Sequence, residues 1–363
     1  MAKKTVLVVG SGIVGSSIAW HLTRAGCAVT VLDSGDGGGV ATPNSFAWLN
    51  ATWGNPKPYF DLRVRSLREW RRLERELPGL GVKWCGGLLW DLPPDELEAY
   101  ATEHGRWGYG IRRVGKAEAL EIEPNLRNPP ELALYVAEEG MVDPLPAART
   151  MLAAAEAAGA KILHNTEVKR LIAEGGRVSG MMTDAGVISA DEVVVAAGAK
   201  TAQLLDTIGV TLKMDSRPGL LVSSKPTGPL VRGLVLSMGC HIRQTAAGRL
   251  LAGSDYGGAD PADQAGEKAR LLHAKMQAMV RGAEAIELDF HTVGYRPIPA
   301  DGFPAVGRPG GKPGLYVAVM HSGMTLAPAM GLFATQELLE DVRDPLLAPY
   351  HPDRLATSGE QAA

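Results

Sequence analysis

Residues 3–33, KKTVLVVGSGIVGSSIAWHLTRAGCAVTVLD, hold two apolar runs separated by a glycine-rich turn. The first run, residues 6–9, leads directly into GSGIVG at residues 10–15. A stretch with helical periodicity follows, and the second run ends at Asp33. A strand, a tight turn, a helix and a second strand in this order are typical of a Rossmann-like unit. The pattern therefore predicts a site for a dinucleotide cofactor.

Each glycine of the turn has a geometric task. Gly10 permits the tight turn, Gly12 lets the backbone approach a pyrophosphate, and Gly15 lets the helix and the strand pack closely. The helix N-terminus offers unpaired N–H donors to the pyrophosphate. Asp33 stands where an acidic side chain binds the ribose hydroxyls.

The composition is that of a globular enzyme. A chain of 363 residues is longer than one hydrophobic core usually organises, so two domains are expected. The balance of 37 basic and 40 acidic residues argues against nucleic-acid binding, and no apolar stretch is long enough to predict a transmembrane segment. Three widely separated cysteines predict neither disulfides nor a metal site, and a cytoplasmic location is expected.

A second glycine-rich loop, GGGVATPNSF at residues 37–46, interrupts the nucleotide-binding pattern. Residues 58–77 then carry apolar side chains at helical spacing and many arginines, which predicts an amphipathic helix whose arginines face solvent. Residues 82–92 are interpreted as a strand and residues 95–109 as a helix. The nucleotide-binding half is therefore expected to be discontinuous in sequence.

The middle of the chain returns to the first pattern. Residues 145–158 predict a helix and 161–164 a strand. Turn signals at 174–176 and 184–186 predict a three-stranded meander. Residues 191–199 are a buried strand that runs into small residues, and we expect it beside the first strand.

Six blocks, taken in this order, carry a resemblance to a known family. They are the opening glycine motif, the second glycine loop, GMVDP at 140–144, VVVAAG at 193–198, GYRP at 294–297 with DGFPAVG at 301–307, and HSGMTLAP at 321–328. Together they resemble the D-amino-acid-oxidase-like family of FAD enzymes, which includes glycine oxidase, sarcosine oxidase and D-amino-acid dehydrogenases. The resemblance covers essentially the whole chain.

The resemblance implies an α/β fold with a discontinuous Rossmann-like FAD-binding domain and a substrate-binding domain with a mostly antiparallel sheet. Residues 1–77, 139–214 and 299–363 would form the FAD-binding domain. Residues 78–138 and 215–298 would form the substrate-binding domain.

The resemblance also implies how FAD is held. The glycine turn would bind the pyrophosphate, Asp33 the ribose and the Val168 backbone the adenine, while the second glycine loop would line the flavin half unless it only caps a helix. A helix beginning near residue 324 would direct its N-terminus at the pyrimidine edge of the flavin and favour the reduced state. The implied FAD-binding residues are Gly10, Gly12, Ile13, Val14, Gly15, Asp33, Ser34, Thr42, Asn44, Ser45, Val168, Ala197, Gly198, His321, Ser322, Gly323, Met324 and Thr325.

The FAD is expected to be non-covalent. Sarcosine oxidases attach the flavin through a cysteine shortly before the Asp-containing motif, and Gly294 occupies that neighbourhood here.

Substrate recognition is expected to rest on Arg296 of the GYRP block. Its planar fork can bind a carboxylate with two parallel hydrogen bonds. The alternative is a structural pair between Arg296 and a neighbouring acid such as Asp301. Tyr295 would point to the opposite face of the strand.

His241, Arg243 and Tyr256 are further candidates for the pocket. Residues 240–253 predict a hairpin that turns at 247–248, and alternation would place His241 and Arg243 on one face. The alternative is that His241 is only a structural residue.

The predicted enzyme is an FAD-dependent amino acid or amine oxidase or dehydrogenase. It would oxidise the C–N bond of a carboxylate-bearing amine by hydride transfer to flavin, giving an imine that hydrolyses, and pass the electrons to oxygen or a quinone. Three alternatives stay open: a flavin-dependent 2-hydroxy-acid dehydrogenase, a nicotinamide dehydrogenase, and a flavin-bearing subunit that needs a partner. The sequence decides neither the oligomeric state nor the amine and its enantiomer.

Overall fold

The structure, a computed structural model, describes residues 3–52, 54–255 and 264–356. The α-helices in these ranges are α1 Ile13–Arg24, α2 Lys57–Glu76, α3 Pro94–Arg106, α4 Lys116–Ile122, α5 Pro144–Ala157, α6 Thr201–Asp206, α7 Ala265–Met279 and α8 Gly323–Glu340. The strands are β1 Thr5–Val9, β2 Ala28–Leu32, β3 Trp48–Leu49, β4 Gly87–Trp90, β5 Ile111–Val114, β6 Ala133–Val136, β7 Gly140–Met141, β8 Lys161–Leu163, β9 Val168–Glu174, β10 Arg177–Thr183, β11 Gly186–Ser189, β12 Glu192–Val195, β13 Met214–Pro226, β14 Leu234–Ser237, β15 Cys240–Gln244, β16 Arg249–Asp255, β17 Leu288–Pro299, β18 Ala305–Gly307 and β19 Leu315–Val319.

The first large sheet has six strands in the order β18-β19-β12-β1-β2-β8. All its pairs are parallel except β18 with β19. The buried strand at 192–195 pairs with β1, as the sequence predicts. Alternate residues of β1 serve opposite faces: Val6 and Val8 pack in the core that contains α1, α5 and α8, whereas Leu7 and Val9 pack against the β9–β11 meander and α6. A parallel sheet covered on both faces needs such continuously apolar strands.

The second large sheet has eight strands in the order β17-β13-β16-β15-β14-β4-β6-β5. Its neighbouring pairs are antiparallel except β14 with β4. One face packs on α7, with Ile242 and Ala252 among its buried residues. The other face contributes Leu89 and Leu236 to the core of the first sheet and its helices. The predicted α/β fold class is therefore confirmed.

The chain passes between the two large sheets several times. Strands of the six-stranded sheet come from the segments assigned to the FAD-binding domain, while β13 and β17 each extend by one residue across a predicted boundary. We propose the division into 1–77, 139–214 and 299–363 against 78–138 and 215–298 on this basis.

Two elements are shorter than predicted. The strand expected over 82–92 is confined to Gly87–Trp90, because Gly86 has φ 74°, outside the strand region. The helix expected over 95–109 ends at Arg106, because Gly108 has φ 82°. Among the described residues, the structure contains no helix that is both long and apolar enough to cross a membrane.

Candidate cofactor and active site

The glycine turn before α1 has two positions with no room for a side chain. Gly10 has φ 93°, and a Cβ there would lie 2.6 Å from the carbonyl oxygen of Ala196. A Cβ on Gly15 would collide with the carbonyl oxygen of Gly10. The turn and the close approach of α1 to β1 therefore require glycine at both positions.

The N-terminus of α1 has the features of a phosphate site. The helix begins at Ile13, Gly12 provides no capping side chain, and the first turn, which includes Val14, holds no acidic residue. The Ile13 N–H donates to Thr42 Oγ1 at 3.0 Å, so the second glycine loop meets the same helix end. Helix N–H groups and the helix dipole favour a negative group here, so these residues fit the pyrophosphate of FAD.

Asp33 is a buried carboxylate held beside this turn. Its Oδ2 accepts hydrogen bonds from the N–H and the hydroxyl of Ser11 at 2.8 and 2.6 Å, and its Oδ1 accepts from the Gly35 N–H at 2.9 Å. The Thr166 N–H donates to the Asp33 carbonyl oxygen at 2.8 Å, which holds the segment before Val168 next to Asp33. The predicted adenosine-binding residues therefore lie on neighbouring segments.

Ala197, Gly198 and Ser34 are three further residues that are predicted to bind FAD. The Ala197 Cα is 3.3 Å from the position that a Cβ of Gly10 would take. Gly198 follows with φ 57° and begins a short 3-10 helix. Ser34 directly follows Asp33 and is exposed. The structure thus brings Ala197 against the turn, while Ser34 lies at the surface.

The N-terminus of α8 lies against the N-terminus of α1. A Cβ on Gly323, the first residue of α8, would be 3.3 Å from Val14 Cγ2. Ser322 caps the helix in the left-handed conformation, with φ 57°, and the first turn of α8 holds no acidic residue. Two helix N-termini therefore converge on one region, which is favourable for an extended anionic ligand.

The remaining predicted residues of α8 are fixed by long-range contacts. Met324 and Thr325 are buried, and Trp70 Nε1 donates to the Met324 carbonyl oxygen at 2.9 Å. The Thr325 hydroxyl donates to the Trp48 carbonyl oxygen at 3.3 Å. His321 Nδ1 lies 3.2 Å from Ser322 Oγ. These contacts hold the helix start in place.

The second glycine loop packs on one face of the eight-stranded sheet. A Cβ on Gly294 would lie 2.7 Å from Asn44 Cβ, and a Cβ on Gly253 would lie 3.3 Å from Phe46 Cδ2. Ser45 Oγ accepts from the Ala47 N–H at 3.1 Å. Glycines in the sheet thus permit the loop to approach its backbone. The sequence left open that this loop only caps a helix. That alternative holds for Thr42, which bonds the first N–H of α1, but not for Asn44 and Ser45, which do not.

Arg296 lies on this same face, two residues after Gly294 on β17. Its Nη2 donates to the Pro218 carbonyl oxygen at 3.2 Å, and its guanidinium packs over Gly219, where a Cβ would be 3.7 Å from Nε. The suggested pair with Asp301 is wrong, because Asp301 pairs with Arg354 at 2.7 Å. Tyr295 points to the opposite face, as predicted, and is 47% exposed.

His241 and Arg243 also share the loop-facing side of the sheet, as predicted. The His241 ring and the Arg243 guanidinium lie 6.0 and 5.9 Å from the ring centroid of Phe46. His241 Nε2 is 3.2 Å from Asp91 Oδ2. Tyr256, the third candidate, lies outside the described residues.

Arg243 is committed to an ion pair. Its Nη1 donates to Oδ1 of Asp143, in the GMVDP block, at 2.9 Å, and the side chain is 2% exposed. Burial is the largest influence on the guanidinium and lowers the pKa of Arg243, while Asp143 opposes that shift. A direct role toward substrate stays a prediction.

The sequence missed Arg63. We expected the arginines of α2 to face solvent, which is wrong for Arg63, because this side chain is 5% exposed. Its Nη1 donates to Ser322 Oγ at 2.8 Å, and its Nε donates to the Asn50 carbonyl oxygen at 3.0 Å. The available signal was helical spacing, since Arg63 shares a face with Ser66 and Trp70.

The sequence also missed Glu139, a fully buried carboxylate before β7. It accepts hydrogen bonds from Trp48 Nε1 at 2.7 Å, Tyr109 Oη at 2.6 Å and Thr52 Oγ1 at 2.8 Å. Burial raises the pKa of Glu139, while these donors oppose the shift. No motif marks the residue, and the donors come from distant segments.

Comparisons with known proteins agree on one family. The model of the family DAO, described as FAD dependent oxidoreductase, matches residues 5–337. Glycine oxidase from Pseudomonas aeruginosa is 29% identical to this chain, over 96% of the chain and 98% of that protein.

Solved structures share the fold over nearly the whole chain. The crystal structure of glycine oxidase from Geobacillus kaustophilus matches with a TM-score of 0.87 and 26% identity, covering 98% of this chain and 99% of that one. Iminodiacetate oxidase from Chelativorans sp. BNC1 matches with a TM-score of 0.84 and 25% identity, covering 96% and 98%.

Proposed function

The chain belongs to the DAO family of FAD-dependent oxidoreductases, and on that premise we propose that it oxidises the C–N bond of a small amine that carries a carboxylate. Amine oxidation with FAD follows from the family. The finer substrate class, an amino acid or an N-alkyl amino acid, is the proposal. The printed names of two relatives, glycine oxidase and iminodiacetate oxidase, support it, since both names denote amines with a carboxylate.

The position of Arg296 is the observation that carries this proposal. The guanidinium lies over Gly219, a residue without a side chain, on the sheet face that packs against the second glycine loop. Its Nε and Nη2 donate to the carbonyl oxygens of Arg217 and Pro218, and these bonds hold the guanidinium over Gly219. A substrate carboxylate can accept from such a fork with two charge-assisted hydrogen bonds.

We assign the FAD contacts residue by residue as part of the same proposal. The N-terminus of α1, with Gly10, Gly12 and Gly15, would hold the pyrophosphate, and Asp33 the ribose. Ser322–Thr325 at the start of α8 would lie at the flavin. A non-covalent FAD is supported by Gly294, because the missing Cβ there already abuts Asn44 and a cysteine would not fit without moving the loop.

Bound FAD supplies the acceptor for a hydride from the carbon next to the amine nitrogen. The task of Arg296 is to fix the carboxylate and thereby orient that C–H bond. No protein base is required when the amine binds in its neutral form. His241 with Asp91 would line the pocket beyond the reacting carbon, beside Phe46.

Anaerobic mixing of the purified flavoprotein with amino acids, N-methyl amino acids and 2-hydroxy acids tests the proposal through bleaching of the flavin band. We expect at least one carboxylated amine to bleach the wild type. R296A should need about 10- to 100-fold more of that amine, since a hydrogen bond to a charged group contributes about 1.5–3 kcal/mol. The control is R113A, on the far edge strand of the same sheet, where Arg113 is exposed and pairs with Glu98.

Other outcomes select the alternatives. Bleaching by hydroxy acids alone, lost in H241A, would identify a 2-hydroxy-acid dehydrogenase. Bleaching that appears only after a second polypeptide is added would identify a partner-dependent subunit. Equal concentration dependence for R296A and the wild type would rule out the carboxylate clamp.

A further inference from the structure

Among the residues that the structure describes, Arg63 is a buried cation without an acidic partner in contact. The side chain is 5% exposed, on the face of α2 that packs into the core. Within residues 3–52, 54–255 and 264–356, no carboxylate lies within 4.0 Å of its guanidinium nitrogens. Arg243, a similarly buried arginine on β15 of the eight-stranded sheet, forms an ion pair with Asp143. A buried charge is strongly unfavourable unless something compensates it.

The partners of Arg63 are neutral oxygens. Nε and Nη2 donate to the carbonyl oxygen and the side-chain oxygen of Asn50, and Nη1 donates to Ser322 Oγ at 2.8 Å. The guanidinium carbon lies 5.2 Å from the ring centroid of Tyr59. These contacts satisfy hydrogen bonds and fix the position of the group, but they supply no negative charge.

The charge is held where two helix N-termini meet. Ser322 is the N-cap of α8, and Gly323 abuts Val14 in the first turn of α1. Neither first turn contains an acidic residue. Arg63 therefore adds a full positive charge to two partial positive charges, and the region as a whole favours an anion.

Glu139 is a buried acid that contacts the residues directly after Asn50, and its hydrogen bonds go to groups other than Arg63. It accepts hydrogen bonds from the Ala51 N–H at 3.3 Å and the Thr52 N–H at 3.4 Å. Its oxygens are occupied by donors of the loop and of Tyr109. Burial raises the pKa of Glu139, while the hydrogen bonds from Tyr109, Thr52 and Trp48 oppose that shift.

We propose that Arg63 is a positioning residue that, through Ser322 and the start of α8, stabilises the reduced and anionic state of FAD in this enzyme. The inference rests on the proposed function, in which Ser322–Thr325 lie at the flavin. A hydride carries two electrons and one proton, so its transfer leaves the cofactor one unit more negative. The amine becomes an iminium cation, which releases a proton to give the imine. A fixed positive charge near the cofactor favours this side of the equilibrium.

The test is the midpoint potential of bound FAD, measured at equilibrium with a reference dye and without substrate. The variants are R63M, R63K and N50A, with R68M as the matched control, because Arg68 is an exposed arginine of the same helix. R63M should lower the equilibrium constant for two-electron reduction at least tenfold relative to R68M, which is about 30 mV. R63K, which keeps the charge, should lose less than half of that shift.

Sulfite affinity gives a second readout, since its adduct with flavin is also anionic. We expect sulfite to bind R63M about tenfold more weakly than R68M, in parallel with the potential. N50A keeps the cation and removes only one of its supports, so it should stay within about threefold of R68M.

Two results would overturn the role of Arg63. One is an R63M potential within threefold of R68M in equilibrium constant. The other is an N50A shift as large as that of R63M, which would show that loop position and not charge is responsible. If R63M fails to retain FAD, the comparison of R63K with N50A decides in the same way.

The dye measurement needs no substrate, so the two proposals fail separately. If no carboxylated amine bleaches the flavin, the proposed function is rejected. The equilibrium constants for reduction of R63M and R68M can still be compared, and that comparison still tests the role of Arg63. A wild-type protein that does not bind FAD would reject both.

Discussion

The two large sheets contribute different chemical groups to the candidate site: one contributes mainly backbone, the other mainly side chains. The six-stranded sheet presents backbone: glycines at 10, 12 and 15, and the N-termini of α1 and α8. The eight-stranded sheet presents polar side chains on one face, with Arg296, Arg243 and His241 near the second glycine loop. A site built from backbone cannot change without changing the fold, whereas a site built from side chains can change substrate while the sheet stays intact.

This difference predicts how the two halves respond to substitution. In the first half, one added methyl group should damage folding and cofactor binding together. In the second half, stability should depend on whether charges remain paired. Three experiments test the contrast.

The largest effect should follow G10A. The new Cβ would lie 2.6 Å from the Ala196 carbonyl oxygen, at a residue with φ 93°. We expect a loss of about 4 kcal/mol in the free energy of unfolding, from left-handed strain and overpacking together, and loss of FAD. Urea denaturation and FAD content measure both.

The control for this effect is G26A. Gly26 has φ 92°, and a Cβ there would meet nothing within 4 Å. G26A should lower the free energy of unfolding only by the backbone strain, about 1–2 kcal/mol. If G10A and G26A lose equal stability, the close packing at the turn has no energetic importance and the contrast fails.

A smaller effect should come from His21, which lies in α1 beneath α8. Burial lowers the pKa of His21 from its usual 6.5 to about 4, although the Ser17 carbonyl oxygen favours the charged form. The unfolded chain therefore binds a proton first as the pH falls. The contribution of neutral His21 to the free energy of unfolding is fully present above pH 6.5. It falls by about 3 kcal/mol as the pH drops from 6.5 to 4.

H21Q should remove that part of the pH dependence, because glutamine does not titrate. Chemical denaturation of both proteins at pH 7, 5.5 and 4 measures the difference. Parallel curves for wild type and H21Q over this range would show that His21 charges in the folded state, and that the α1–α8 layer is less tightly closed than the structure indicates.

The smallest effect should follow D143N, in the charged half. The substitution leaves Arg243 buried at 2% exposure without its carboxylate. We expect the free energy of unfolding to fall by about 2 kcal/mol. This is less than the usual loss of about 3–5 kcal/mol for a fully buried pair, because Asp143 itself is 25% exposed. FAD content should not change.

The double variant D143N/R243M isolates the cause. Removing the unpaired charge should recover most of the lost stability, as calorimetry or denaturant titration would show. A double variant less stable than D143N would mean that the Arg243 side chain contributes by packing against Phe46 rather than by pairing.

The sequence predicted the six-stranded half well because its requirements are local. The glycine turn, the apolar β12 and the helix after residue 322 each follow from a short segment, and the structure contains all three. The α/β class and the FAD family were predicted from the family resemblance, which is itself carried by short blocks spread over the chain.

The charged groups were predicted less well because their partners are distant. Arg63 reaches Ser322, and His241 reaches Asp91, across long stretches of chain. For Arg296 the alternative to the substrate role was a pair with a neighbouring acid such as Asp301, yet Asp301 pairs with Arg354. Periodicity shows which face a residue occupies, but it does not show which oxygen that face will meet.

The contact of α1 with α8 has a consequence for synthesis of the chain. Helix α1 packs against a helix that begins at Gly323, and its Ser17 and His21 lie next to Gly331 of that helix. At 5–20 residues per second, the ribosome needs about 15–60 s to make the intervening segment. During that time α5 can already pack on α1, but the side of α1 that meets α8 has no cover from that helix, so we expect the nascent chain to bind chaperones that shield apolar helices.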